Sequence, residues 1–131
     1  MKKENLLNPN IVAAVAALGH TEYLCIADCG LPIPKGESVI DVSVTANIPK
    51  FLEVLEAVES ELVIESYIYA EEIHQHNPDT MKRLAEILDG KPGKKVPHEK
   101  FKELTRDAKY IIRTGETSSY ANVILVGGVN F

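Results

Sequence analysis

Apolar positions along this 131-residue chain follow two alternating rhythms. Helical spacing comes first. Asn8-Pro9 offers an N-cap and a proline at the first helical position, where its missing N–H costs nothing. Ile11, Val15 and Leu18 then share one face, and Gly19 is placed to be the left-handed residue that ends the helix. Ala13, Ala14, Ala16 and Ala17 make the flank of this helix small enough for a close neighbour, in the chain or in another subunit. Tyr23 to Ala27 is a short, near-continuous apolar run, which suits a strand covered on both faces. Val39 to Val44 alternates with period two, as a half-buried strand does.

The alternation continues. Ile48-Pro49 opens a helix with Phe51, Leu52, Leu55 and Val58 inward and Glu53, Glu56 and Glu59 outward. Leu62 to Ala70, rich in β-branched and aromatic residues, reads as a strand. Glu71 to His76 reads as a loop, and Asn77-Pro78 starts a helix whose apolar face is Met81, Leu84, Ile87 and Leu88. Gly90 stops that helix, and Lys91 to Lys95 is expected to be a solvated loop. A short helix after Pro97 turns Phe101 and Leu104 inward, before strands at Tyr110–Arg113 and Tyr120–Val126. Strands alternating with helices predict a single α/β domain over residues 1–131. Its expected form is a three-layer α/β/α arrangement around a mixed, largely parallel sheet.

Composition narrows the function. With 45% hydrophobic and 25% charged residues the chain is globular in character. A net charge of -5 argues against a nucleic-acid binder, which needs a basic face to displace counterions. No apolar run is long enough to span a bilayer, so no membrane partner is expected. An export signal is not expected either, because Glu4 and Asn8-Pro9-Asn10 interrupt the approach to a short apolar run. Cys25 and Cys29 on one strand would stand about 13 Å apart, too far for a disulfide. Reduced thiols in a cytoplasmic protein are the expectation.

Four histidines are the first candidates for chemistry, since imidazole titrates near neutrality. His20 follows a helix C-terminus, where the dipole favours the imidazolium and suits a general acid; it reads also as a polar turn residue. His98 lies in the first turn of a helix, where the dipole favours the neutral ring, and Lys102 is one turn further on the same face. An N-cap is the plain alternative for His98. Asp28 ends a buried strand, where ligand sites of α/β sheets collect, or simply caps the turn before Gly30. Glu71, Glu72, His74 and His76 are the densest group of potential metal ligands, yet a solvated acidic loop is the expectation there and no metal site is assigned. If residues 20 to 28 were extended throughout, His20 and Asp28 would stand about 26 Å apart, beyond the reach of one small ligand. Either the Gly19-His20-Thr21 turn curls back or the two meet across a subunit boundary.

Taken together, several segments resemble the D-ribose pyranase family, which is related to the fucose mutarotases. They are Leu18-Gly19-His20-Thr21, Asp28-Cys29-Gly30-Leu31-Pro32-Ile33-Pro34, Glu71-Glu72-Ile73 with His76-Asn77-Pro78, Ile112-Arg113-Thr114-Gly115-Glu116 and Tyr120-Ala121-Asn122. The similarity runs end to end with the motifs in order. It implies interconversion of the pyranose and furanose forms of D-ribose without metal or organic cofactor. It also implies a cytoplasmic, ring-shaped homo-oligomer, a decamer of two stacked pentamers with sites at subunit boundaries. Carried over by residue, His20 is the proton donor, and Asp28, His98, Tyr120, Ala121 and Asn122 bind the sugar. Two positions depart from the pattern: Glu22 stands where aspartate is common, and Cys29 where the ribose branch has alanine. Gly30-Leu31-Pro32 and Ala121 favour the ribose branch over the fucose branch. A non-catalytic sugar-binding module and a mutarotase for another sugar are the alternatives.

Overall fold

A computed structural model describes residues 1–131. The first helix, α1 (Pro9–Ala17), starts as the sequence indicates. The Asn8 carboxamide oxygen accepts from the Asn10 and Ile11 amides at 3.0 and 3.1 Å. Its end differs from expectation. Leu18 is already extended, Gly19 is not left-handed, and Thr21 takes the positive φ of 69° instead. The reason lies in the sheet: the Thr21 amide donates to the Gly127 carbonyl at 2.9 Å, and the turn closes onto the last strand rather than onto the helix.

The remaining elements follow in order. They are β1 (Tyr23–Ala27), β2 (Val39–Asp41), α2 (Phe51–Glu59), β3 (Ile64–Ala70), α3 (Ile73–His76), α4 (Pro78–Ile87), β4 (Gly93–Val96), α5 (His98–Leu104), a 3₁₀ turn (Thr105–Asp107), β5 (Ala108–Arg113) and β6 (Val123–Gly127). The strands form one sheet in the order β2-β5-β1-β6-β3-β4. β2, β5 and β1 pair in parallel, as do β3 and β4. β6 lies antiparallel between β1 and β3, so five strands run one way and β6 alone runs back.

Side-chain alternation along the strands sorts the core into two halves. Leu24, Ile26, Val123 and Leu125 face a layer made by α1, α2 and α4 through Ile11, Phe51, Leu55, Val58 and Leu84. Cys25, Ala27, Ile111 and Ile124 face the other way, against Leu31 and Phe101 of α5. Helices cover both faces of a mixed sheet, the expected three-layer architecture.

Four local readings need correction. Gly93–Val96 is an edge strand and not a loop, because its backbone completes the open side of β3. A Cβ on Gly93 would lie 2.5 Å from the Tyr67 ring, so glycine is what lets the two strands pair there. The segment expected to be a loop before Asn77 contains the short helix α3, pinned by the fully buried Ile73. β2 stops at Asp41, where the Asp41 carboxylate accepts from the Ser43 amide at 2.9 Å and from its hydroxyl, turning the chain out of the sheet. β6 starts at Val123 and not at Tyr120. Tyr120 is left-handed (φ 58°), and the Asn122 amide donates back to its carbonyl at 2.9 Å.

Candidate functional site

The reversed strand shapes the site. Because β6 runs against its neighbours, its first residues meet the carboxyl ends of β1, β3 and β5 at one edge of the sheet. Carboxyl ends of strands are where α/β sheets hold ligands. An open cleft of about 340 Å³ lies there, lined by the loop leaving β1 (Asp28 to Pro32), by His98 at the start of α5, and by Glu116 to Tyr120.

Asp28 leaves β1 and Asn122 enters β6, and the two clamp each other. The Asp28 amide donates to Asn122 Oδ1 at 2.7 Å, and Asn122 Nδ2 donates to Asp28 Oδ2 at 3.0 Å. The other Asp28 oxygen accepts from the Gly30 amide at 3.0 Å. Asn122 is completely buried, so both of its amide bonds replace water. Just behind, the buried Cys25 thiol has its pKa pushed up, first by burial and then by the Asp28 charge; it is inert as a nucleophile.

His98 is fixed by its backbone and by aromatic contacts. Both Glu72 carboxylate oxygens accept from the His98 amide at 3.0 Å, which caps the otherwise unpaired first turn of α5. The imidazole stacks on Phe101 with centroids 6.3 Å apart and meets Tyr120 edge-on at 5.0 Å. His98 Nδ1 is buried without a hydrogen-bond partner. On its other side Tyr120 contacts His76, with ring centroids 5.5 Å apart.

The loop before Tyr120 is tied down from two directions. Glu116 Oε1 accepts from the Phe51 amide at the start of α2 (3.1 Å), and Oε2 accepts from the Ser118 amide (3.3 Å) and hydroxyl (2.9 Å). Asn77 Nδ2 donates to Ser118 Oγ and to the Ser119 carbonyl, both at 2.9 Å. The cleft thus carries two carboxyl groups, an imidazole, hydroxyls and a phenol, with no lysine or arginine in its lining.

The candidate residues from the sequence divide into two groups. Asp28, His98 and Tyr120 line the cleft, and Asn122 lies buried behind them, bonded to Asp28. Ala121 sits among them in the chain, but the whole residue is buried in the core and it does not line the cleft. His20 is elsewhere. It lies at the amino end of β1, half exposed, with Nε2 2.7 Å from Glu65 Oε2, in a separate groove with Leu18, Val129 and Phe131. The Gly19–Thr21 turn does not bring it back toward Asp28. Beside it, the Gly19 amide and then the Lys109 ammonium hold the Glu22 carboxyl below the usual glutamate range.

The Glu71-to-His76 group of potential ligands, to which no metal site is assigned, disperses. Glu72 accepts from the His98 amide, His74 Nε2 pairs with the Tyr69 hydroxyl at 3.0 Å, and His76 contacts Tyr120. No three His, Cys, Asp or Glu side chains come together in a group that could hold a metal ion. Residue reasoning missed Glu116 as a cleft residue and Glu72 as the cap of α5. Their partners are backbone amides 65 and 26 positions away, a relation that no local pattern carries.

Fold and cleft define an α/β protein that can surround a small, uncharged, hydroxyl-rich molecule with directional donors and acceptors and exchange protons with it. Comparison with known proteins gives this class a family. Residues 1–130 match the RbsD / FucU transport protein family, and the chain belongs to it. No helix is long and apolar enough to cross a membrane. The D-ribose pyranase of Laribacter hongkongensis is 50% identical over 131 residues, covering all of both chains. That of Geobacillus kaustophilus is 49% identical, covering all of this chain and 96% of its own. Among solved structures, Bacillus subtilis RbsD complexed with D-ribose superposes with a TM-score of 0.97 at 41% identity, covering both chains fully. A fucose mutarotase from Streptococcus pneumoniae in complex with L-fucose shares the fold, with a TM-score of 0.81 at 24% identity over 95% of this chain and 94% of its own.

Proposed function

We propose that this protein is an isomerase that interconverts the pyranose and furanose forms of D-ribose by acid/base opening and closure of the sugar ring. The observation that carries the proposal is the joining of two facts. The chain is about half identical, end to end, to D-ribose pyranases. Its polar cleft gathers Asp28, His98, Tyr120 and, behind them, Asn122 at one sheet edge.

The chemistry needs only proton transfers. In the pyranose the bond from C1 to the C5 oxygen breaks as that oxygen gains a proton and the anomeric hydroxyl loses one, leaving an open-chain aldehyde. Rotation presents the C4 hydroxyl to C1. The new C–O bond forms as that hydroxyl loses its proton and the carbonyl oxygen gains one. Positioned proton transfer of this kind is worth on the order of 10²–10⁴-fold. His20 is the proton donor in this reading. Asp28 and His98 orient hydroxyls and the Tyr120 phenol adds a directional hydrogen bond; Ala121 and Asn122 complete the sugar site by family resemblance, Asn122 through its hold on Asp28.

His20 and the cleft occupy opposite ends of β1, so the same reading puts His20 of one subunit against the cleft of its neighbour. The assembly is a homo-oligomer, a decamer of two stacked pentamers by family resemblance, working in the cytoplasm. Apolar Val129 and the fully exposed Phe131 beside His20 support burial of that end against another chain. The two unpaired thiols suit a reducing compartment.

Saturation transfer between the ring forms of ribose, followed by NMR, tests the activity. Wild-type protein accelerates exchange and His20→Ala does not. Binding of ribose with no acceleration by wild type would instead mark a sugar-binding module, and acceleration confined to another monosaccharide would reassign the substrate.

A further inference from the structure

We infer that Glu116 is a positioning residue: with Ser118 and Asn77 it forms a latch that holds Tyr120 and Asn122 in their sugar-reading places. The inference deepens the proposed ribose site and rests on that reading for its activity arm. Glu116 is a glutamate only 8% exposed, which calls for a structural or functional reason. Three donors from two parts of the chain meet its carboxyl oxygens: the Phe51 amide, the Ser118 amide and the Ser118 hydroxyl. The Ser118 oxygen in turn accepts from Asn77, which also holds the Ser119 carbonyl. At the same residue the backbone grips the exit of β1, since the Cys29 amide donates to the Glu116 carbonyl at 2.9 Å.

This arrangement joins two of the three segments that line the cleft to the helices behind them. Glu116 ties the start of α2, the loop after Asp28 and the loop before Tyr120, and Asn77 adds the start of α4. Tyr120 sits in the left-handed region at φ 58°, a strained place for a tyrosine that persists only when its surroundings over-determine it. The two residues before Tyr120 are those the latch holds. A carboxylate is an acceptor only and can satisfy all three donors; a glutamine must turn one N–H donor toward another donor. Glu116→Gln therefore loosens the loop while changing little in shape.

The test compares Glu116→Gln, Ser118→Ala and Ser118→Thr with wild type. Ribose exchange by NMR should show kcat/KM lower by about 10- to 100-fold in Glu116→Gln, as expected for misplaced orienting groups. The loss should fall mainly on KM, because His20 is untouched. Ser118→Ala should share the direction of that loss, and Ser118→Thr, which keeps the hydroxyl, should recover most of it. In the ligand-free protein, amide hydrogen exchange should quicken across Ser118 to Asn122 and stay slow in β1 and β5. Kinetics within twofold of wild type in Glu116→Gln, or no recovery in Ser118→Thr, would overturn the latch, as would unchanged amide exchange in that loop. Failure of wild type itself to accelerate ribose exchange would strike the proposed activity alone, and the amide-exchange arm would still decide the latch.

Discussion

A site shared between subunits makes a prediction that no single-chain site can imitate. His20→Ala removes the proposed acid and leaves the Asp28–Asn122 clamp whole. Asp28→Asn disturbs the clamp and leaves His20 in place. Separately, each variant should lose about 100-fold or more of its exchange activity, the scale of one positioned proton-transfer group for His20 and of misplaced substrate for Asp28. His20 lies at the amino end of β1 and Asp28 just beyond its carboxyl end. The five residues of β1 between them span about 17 Å of extended chain, well beyond the width of a pentose. In oligomers assembled from equal amounts of the two variants, some boundaries join an intact His20 to an intact cleft. Random pairing in a symmetric ring makes about a quarter of the sites complete, since each needs the right chain on both sides. Co-expression with two affinity tags, sequential purification and saturation-transfer NMR on ribose measure the recovered rate directly. Mixed oligomers no faster than the average of the two parents would refute the shared site, and with it the placement of His20 in the mechanism.

Other expectations follow from the same geometry. Asn122→Ala strips the Asp28 amide of its partner at a fully buried position and leaves a void. It should cost about 2–4 kcal/mol, read as a fall in melting temperature of roughly 10 °C; a fall under a few degrees would show that the clamp is not structural. Gly127→Ala puts a Cβ 2.5 Å from the Gly19 carbonyl oxygen, a backbone atom that cannot swing aside. The turn carrying His20 must shift, so ribose exchange followed by NMR should slow while fold stability falls by about 1–3 kcal/mol; unchanged exchange would show that the turn keeps its place. Asp41 has its carboxyl held below the ordinary aspartate range, first by the Ser43 hydroxyl, then by the Ser43 amide and Arg113. A lowered folded-state pKa contributes stability above the unfolded value that is lost as pH falls through the folded one. The melting-temperature gap between wild type and Asp41→Asn should therefore be widest near neutrality and close in strong acid; a gap that widens on acidification would contradict the assignment.

The parts of this molecule that were legible in its sequence are those where local physics decides. Asn8-Pro9 starts α1 because cap and proline act within one turn, and the apolar run Tyr23 to Ala27 is buried on both faces as its pattern demands. β4 was invisible for the opposite reason. Gly93-Lys94-Lys95-Val96 has no strand pattern of its own and becomes one by completing β3, with its lysines guarding an edge. The left-handed residue after α1 moved from Gly19 to Thr21 because a contact with Gly127, over a hundred positions away, sets that turn. Among the candidate site residues, Asp28 and His98 were readable from where they stand on strand and helix, whereas Tyr120, Ala121 and Asn122 were named only through family resemblance. Glu116 escaped both routes as a cleft residue. Its role is written in amides it accepts from, and amides leave no trace in side-chain identity.

The position of β6 bears on how the chain comes to fold. β1 and β3 do not pair with each other; each pairs with β6, the last strand in chain order. Without β6 the sheet divides into two ribbons, β2-β5-β1 and β3-β4, each with a bare inner edge. Domains take shape from the amino end during synthesis, so those two edges stand open until residues 123–127 arrive. Open edges of this kind invite pairing with other chains. Insertion of one strand therefore does two things at once: it covers both inner edges, and it delivers Asn122 to Asp28. Sheet closure and the birth of the cleft are a single event.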